Sequence, residues 1–351
     1  MTVAAPDAEG REEEGAAPVA STAADLAKAG IAGKASLLAL EGAPVPSGGV
    51  VEMVQGRRGV PLRLARWRAD PGTTPRGTVF VLLGRADFIE KYLEVVADLR
   101  ARGYAVVVHE PRGQGHSGRL IRGQNWGHVA SFHDYVADLD TVIRVAKRPT
   151  DGLPLPKPYV LLGHSAGGTV ALMASYRLQR DIDRIVAVAP LIGFSGIGMP
   201  GWMLGLVIGA ARLAGFGRRP SRARPQPPQL AFDGNPLTSD PVRFARIGAY
   251  LSADPGLVVG PPTFGWVKAA RDAMLILHKP DLIARLTTPT LLFACGADRV
   301  VAPDAIERFG RLLPAGGTVL VPWARHELMM ERDALRAEFW AAFDAFVAGG
   351  D

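Results

Sequence analysis

Apolar residues along the chain fall into two patterns that alternate, and the alternation predicts the architecture. Short continuous runs, Val79–Leu83, Ala105–His109, Tyr159–Leu162, Ile185–Ala189 and Thr290–Ala294, are bounded by Gly and Pro. Runs of this kind suit strands that are covered on both faces of a parallel sheet. Between and after them lie stretches with the helical period, Glu90–Arg102, His133–Val145, Ala166–Leu178, Pro303–Leu313 and Arg332–Val347, with Thr318–Val321 as a last strand. Upstream, Val50–Val54 and Val60–Arg68 flank Gln55-Gly56-Arg57-Arg58-Gly59, a turn-rich break that predicts an antiparallel hairpin opening the sheet. The expected fold is α/β, with a mostly parallel, doubly wound sheet.

The alternation stops at Pro190 and resumes near Pro289. The intervening residues, rich in Gly, Pro and Arg, do not form βα units. They are expected to be an insertion, 191–285, capping the sheet's C-terminal edge, where open α/β sheets bind their ligands. The core is then 49–190 together with 286–351. Residues 1–48, rich in Ala, Gly, Glu and Pro with the acidic run Glu12-Glu13-Glu14, are expected to be a disordered tail, with room for one short helix around Asp25 to Leu40.

Composition narrows the class without naming a function. Of the 351 residues 48% are hydrophobic and 21% charged, a balance that supports a large buried core and argues against wholesale disorder. The net charge of +6 raises the question of an anionic partner. Its arginines are scattered as a GC-rich genome would scatter them and no nucleic-acid motif accompanies them, so no nucleic-acid partner is expected. The single cysteine, Cys295, excludes an intramolecular disulfide and sits in an apolar run that reads as a buried strand. Met1–Asp7 lacks the basic patch and apolar stretch of a secretory signal, so a cytoplasmic location is the expectation.

The strongest chemical signal is Gly163-His164-Ser165-Ala166-Gly167, directly after a predicted strand and directly before a predicted helix. In such a G-x-S-x-G turn the serine sits on a sharp strand-to-helix bend with its hydroxyl exposed above the sheet, which makes Ser165 the candidate nucleophile. A helix-capping serine is the structural alternative. A serine hydroxyl needs a base to take its proton. Of seven histidines, His109 ends a strand, His116 and His128 fall in loops, His133 starts a helix, His278 lies in the insertion, and His164 is expected to point away from its neighbour. His326 follows the last strand, where the chain order Ser, acid, His places the base. Asp298, in Gly296-Ala297-Asp298-Arg299, stands at the end of the preceding strand and is the candidate acid. Asp304 competes, but it falls in the first turn of the next helix, where an acidic side chain commonly serves the helix dipole. The negative oxygen of a tetrahedral intermediate needs backbone donors, and the amides of Ala166 and Arg85 are the candidates. No histidine pairing suggests a metal site, and no glycine loop has cofactor spacing, so neither metal nor cofactor is expected.

With these residues in place, the chain from about 50 to 347 resembles the serine-dependent α/β-hydrolases grouped with bacterial lysophospholipase L2 and the monoacylglycerol lipases. Gly84-Arg85-Ala86-Asp87-Phe88-Ile89-Glu90-Lys91-Tyr92 is similar to the family's oxyanion loop, Pro111-Arg112-Gly113-Gln114-Gly115-His116-Ser117 to its R-G-x-G-x-S turn, and Gly234-Asn235-Pro236-Leu237-Thr238 to a cap segment of the bacterial branch. Leu83-Gly84 stands where monoacylglycerol lipases carry His-Gly, which moves the resemblance towards the lysophospholipases. The resemblance implies an α/β-hydrolase fold with a helical cap and hydrolysis of a small-molecule or lipid ester through an acyl-enzyme on Ser165. An acyltransferase or peptidase on the same fold, and a non-catalytic binding module, remain the alternatives. In the cap, Trp202–Ala211 is apolar but shorter than the ~20 residues of a membrane span, and Arg212, Arg218, Arg219, Arg222 and Arg224 follow it. That pairing suits either a buried cap helix or peripheral contact with an anionic inner membrane.

Overall fold

The computed structural model describes residues 36–148, 154–195, 201–221 and 231–348. Eight strands form one sheet: β1 (Val50–Gln55), β2 (Pro61–Trp67), β3 (Gly77–Leu82), β4 (Tyr104–His109), β6 (Tyr159–His164), β7 (Arg184–Val188), β9 (Thr290–Cys295) and β10 (Gly316–Val321), in the order β1-β2-β4-β3-β6-β7-β9-β10. The β1–β2 and β2–β4 pairs are antiparallel and every other neighbouring pair is parallel. Each of β3, β4, β6 and β9 is buried along its whole length. Alternate residues serve opposite faces, as the pleat requires. Phe80 and Leu82 join the apolar layer under helices α2 (Phe132–Ala146), α3 (Ala166–Leu178), α6 (Phe264–Leu277) and α8 (Pro303–Gly310), whereas Val79 and Val81 join the layer under α1 (Leu93–Ala101) and α9 (Asp333–Ala348). This is the architecture that continuous apolar strands predict, and the only cysteine lies in it, fully buried on β9.

Some boundaries differ from expectation for identifiable reasons. The helix predicted over Glu90–Arg102 begins as a 3-10 turn, Ile89–Tyr92, before α1. The helix predicted to reach Leu313 ends at Gly310, a residue poorly suited to continue one. Residues 36–48, expected to belong to a disordered tail, instead lie against the body of the protein, while residues 1–35 fall outside the described residues. Ala43 is buried with Phe88, Tyr250 and Leu257, and the Trp67 indole donates to the Pro46 carbonyl at 3.0 Å. The stretch Ser36–Leu40 contains no helix.

Between β7 and β9 the chain forms α4 (Gly201–Leu213), α5 (Pro241–Ala253), α6 and the short α7 (Pro280–Ile283), and contributes β8 (Gly260–Pro262), which pairs with β5 (Trp126–Gly127) in a separate two-stranded ribbon. Asp240 and Thr263 cap α5 and α6 through their side-chain oxygens. One carboxylate ties this segment to both flanks of the core. Glu94 on α1 meets Arg243 and Arg246 of α5 at 2.5 and 2.8 Å and Arg336 of α9 at 2.8 Å. Partial burial alone would raise its pKa, but these guanidinium groups outweigh burial and hold it at about 2.

A carboxylate whose folded-state pKa is depressed stabilises the fold above its unfolded value and loses that contribution as pH falls through the folded one. The Glu94 contribution is therefore complete above an unfolded value of 4.5 and is lost between there and about 2. Thermal melts across this window should show the wild-type protein losing stability that Glu94→Gln lacks at every pH, so the two curves converge towards pH 2. Parallel curves would mean that the ion pairs contribute nothing.

Candidate active site

Ser165 joins β6 to α3 with φ 51° and ψ −118°, a left-handed conformation that costs a non-glycine residue on the order of 1–3 kcal/mol. The bend is held on both sides. Ser165 N donates to the Val188 carbonyl at 3.0 Å, and the Ser165 carbonyl accepts from Thr169 N at 3.1 Å and Leu191 N at 3.0 Å. It also requires close approach: a Cβ on Gly167 would lie 2.1 Å from the Leu82 carbonyl oxygen, so only glycine lets α3 begin against the end of β3.

The structure brings Ser165, His326 and Asp298 together. His326 Nε2 lies 3.0 Å from Ser165 Oγ, and its Nδ1 lies 2.7 Å from Asp298 Oδ2. All three residues are buried. Asp298 follows the end of β9, and its Oδ1 accepts from Val300 N at 2.7 Å and Val301 N at 3.0 Å, which leaves Oδ2 aimed at the imidazole. Asp304 is on the surface, its side chain 67% exposed and paired with Arg308. Two residues from the segment between β7 and β9 seat the loop that carries His326: the Pro236 and Leu237 carbonyls accept from His326 N at 3.4 Å and Glu327 N at 2.8 Å. Asn235 shapes that segment by accepting from Leu237 N and Thr238 N, and Arg325 donates to the Asn235 and Thr238 carbonyls.

The remaining histidines are elsewhere or differently engaged. His109 is buried at the end of β4, where burial pushes its pKa down to about 4. His116 pairs with Asp254 at 3.0 Å, and His128 contacts the Thr263 hydroxyl at 2.7 Å. His164 turns away from Ser165, as expected, and its Nε2 lies 3.1 Å from the His326 carbonyl.

Ala166 N opens α3, where unpaired amides and the helix dipole favour negative charge. The loop carrying Arg85 lies against the same point, since a Cβ on Gly84 would sit 3.3 Å from Ser165 Cβ. The Arg85 side chain leaves the loop to donate to the Gly260 carbonyl at 3.0 Å, with its guanidinium 5.8 Å from the centre of the Trp266 ring. The neighbouring Ala86, at φ 66°, donates its amide to Gln114 Oε1. A mostly apolar recess adjoins this corner, lined by Leu82, Leu83, Pro111, Tyr135, Ala166 and Val170 among others.

Sequence reasoning missed a buried polar group behind the site. Asp87, Lys91, Tyr92, His164 and Glu327 are all at least nine-tenths buried. Lys91 Nζ lies 2.5 Å from Asp87 Oδ1 and 2.6 Å from Glu327 Oε1. Burial opposes the charge on both Asp87 and Lys91. Even so, Lys91 and His164 hold the Asp87 carboxyl well below the usual range, and the two carboxylates raise the Lys91 pKa. Three of these residues stand in the segment compared above with an oxyanion loop, a proximity that signalled local importance but not the partner 236 residues away. Among the described residues no cluster of His, Cys, Asp and Glu could hold a metal ion.

A doubly wound sheet, a serine on the bend after its central strand and an imidazole between that serine and an aspartate define an α/β-hydrolase. A family model described as serine aminopeptidase S33, Hydrolase_4, matches residues 73–333. The chain is 32% identical to lysophospholipase L2 of Escherichia coli K12 over 79% of its own length and 81% of the relative's. It is 26% identical to a monoacylglycerol lipase of Mycolicibacterium smegmatis, over 66% of this chain and 73% of that one. A soluble variant of the Saccharomyces cerevisiae monoglyceride lipase, solved with a substrate analogue, superposes with a TM-score of 0.66 at 18% identity over 86% of this chain and 97% of that one, a likeness of fold. The chain belongs to this α/β-hydrolase family and is a carboxylic ester hydrolase.

The two aspartates separate cleanly by experiment. Asp298→Asn should lower kcat for a nitrophenyl ester by on the order of 10⁴, the cost of losing the imidazole's orienting acid, while Asp304→Asn should leave it within about twofold, as expected for a surface change. The reverse result would reassign the acid.

Proposed function

We propose that the chain hydrolyses lipid-derived monoacyl esters, lysophospholipids or monoacylglycerols, through an acyl-enzyme on Ser165. The observation that carries this reading is the unbroken Asp298–His326–Ser165 relay, with contacts of 2.7 and 3.0 Å. Ser165 Oγ attacks the ester carbonyl as His326 Nε2 takes its proton. The Ala166 and Arg85 amides receive the negative oxygen, and His326 then gives its proton to the departing alcohol. Water, deprotonated by the same imidazole, attacks the acyl-enzyme and releases the acid and the serine. The names of the curated relatives support a lipid-derived ester. Because a peptidase names the matched family, amide cleavage is the second reading, and aminoacyl amides belong in the substrate panel.

We also propose that 191–285 acts as a cap and reaches an anionic membrane surface, placing a cytoplasmic protein peripherally at the inner membrane. On and after α4, Trp202, Leu206, Val207, Leu213 and Phe216 are exposed while Ile208 is buried, so the helix turns most of its apolar surface outward. Arg212, Arg218 and Arg219 stand exposed beside them, while Arg222 and Arg224 lie outside the described residues. An exposed apolar strip flanked by cations suits an interfacial helix. Among the described residues no helix is long and apolar enough to cross a membrane.

Ser165→Ala should abolish hydrolysis of monoacyl lipids and nitrophenyl esters, with a loss on the order of 10⁴–10⁶ and an unchanged melting temperature. A variant that kept a tenth of the native rate would reject the mechanism. A native preference for acetyl esters or aminoacyl amides over long-chain monoacyl lipids would reject the substrate. Sedimentation with liposomes should show binding that rises with anionic lipid, weakens with salt and falls when Trp202 and Leu206 become Ser; binding indifferent to all three would reject membrane contact.

A further inference from the structure

Three of the residues assigned to the chemistry, Arg85, Ser165 and His326, each have a close chain neighbour in the buried polar group behind them. Asp87 is two residues after Arg85, His164 is one before Ser165, and Glu327 is one after His326. These neighbours are joined to one another. Asp87 Oδ2 accepts from Gly84 N at 2.9 Å, which closes the loop around Arg85. It also accepts from the Tyr92 hydroxyl at 2.9 Å, and that hydroxyl lies 3.1 Å from His164 Nδ1. On its other side His164 places Nε2 3.1 Å from the His326 carbonyl, so that nitrogen carries the proton and donates. Lys91 completes the circuit by bridging Asp87 at 2.5 Å and Glu327 at 2.6 Å.

Stability alone is a poor reason for this arrangement. Burying an ion costs several kcal/mol, and buried ion pairs replaced by apolar groups of similar volume often leave a protein as stable as before. Glu327 makes the point sharply. Its Oε2 is buried without a hydrogen-bond partner among the described residues, so its carboxylate is held out of water for Lys91 alone. What the circuit supplies is registry: two loops from distant parts of the chain are fixed to one ammonium, and His164 is joined to them through the Tyr92 hydroxyl and the His326 carbonyl.

We propose that Lys91 is a positioning residue, whose ammonium between Asp87 and Glu327 ties the loop bearing the oxyanion donor to the loop bearing the base and holds both against Ser165 as one unit. The inference rests on the roles proposed above for Ser165, His326 and Arg85. It gives Lys91 no contact with substrate. If either carboxylate loses its charge the bridge is cut, and cutting it a second time changes little.

A double-mutant cycle on a short nitrophenyl ester tests this, with turnover expressed per serine titrated by a fluorophosphonate. That normalisation makes misfolded protein appear as missing sites rather than as slow ones. Asp87→Asn and Glu327→Gln should each lower kcat about tenfold or more with KM within about threefold, because displacement by a fraction of an ångström penalises the transition state more than the bound ester. Affinity for an alkylboronic acid, which forms a tetrahedral adduct on the serine, should fall by the same factor. The double variant should be no slower than the worse single one. Lys91→Arg, which keeps the cation, should stay closer to the native rate than Lys91→Met. Multiplying losses in the double variant, or singles with native turnover per titrated site, would overturn the proposal. Native protein that does not react with the fluorophosphonate would instead refute the serine mechanism itself.

Discussion

Where the parallel strands end, the first turn of α3 meets the end of β3 backbone against backbone, and the geometry of the site follows from that contact. A methyl group on Gly167 would overlap the Leu82 carbonyl, and the loop that continues from β3 passes beside Ser165, where a methyl group on Gly84 would sit 3.3 Å from the Ser165 Cβ. A junction this close is the kind of place where backbone donors can be brought to bear on a single oxygen. The hydrogen bonds that hold Ser165 in its left-handed bend come from Val188 on β7, from Leu191 beyond it and from Thr169 in α3, so the bend is held from three elements at once.

Much of this was legible in the sequence because it is local. A strand covered on both faces must be apolar throughout, and β3, β4, β6 and β9 therefore announce themselves. The bend at Ser165 has its own five-residue signature, and Asp298 could be separated from Asp304 because the latter falls inside a helix's first turn. What escaped was non-local. The partnership of Lys91 with Glu327 leaves no period in the sequence, since ion pairing depends on which loops meet in space. The burial of Ala43 was hidden for the same reason, because half of its pocket comes from Tyr250 and Leu257. The helices of the insertion did carry a signal that composition masked: Asp240 before Pro241, and Thr263 before Phe264, are the caps with which α5 and α6 start.

The insertion is held very differently at α4 and in its later part. Its later part is fastened to the core by the Glu94 cluster, by His116 with Asp254, and by the Asn235–Thr238 segment that seats the base loop. Its earlier part, α4, rests on α6, with the Arg271 guanidinium against Gly205, and turns bulky apolar groups to solvent. The fastened half is thus continuous with the catalytic geometry.

The docking of residues 36–46 on the body of the protein bears on the order in which the molecule can assemble. The partners of this segment are spread over the chain: the Ser36 carbonyl accepts from Arg63, Leu38 N approaches Glu90 at 3.3 Å, and the Ala43 carbonyl faces the Tyr250 hydroxyl 207 residues away. Contacts that close so long a loop form only after the entropy of closing it has been met by other structure. Tyr250 belongs to α5, which Arg243 ties to Glu94 of α1. Among the described residues, the segment that leaves the ribosome first therefore gains its full set of neighbours only after the chain has been made and folded as far as Leu257.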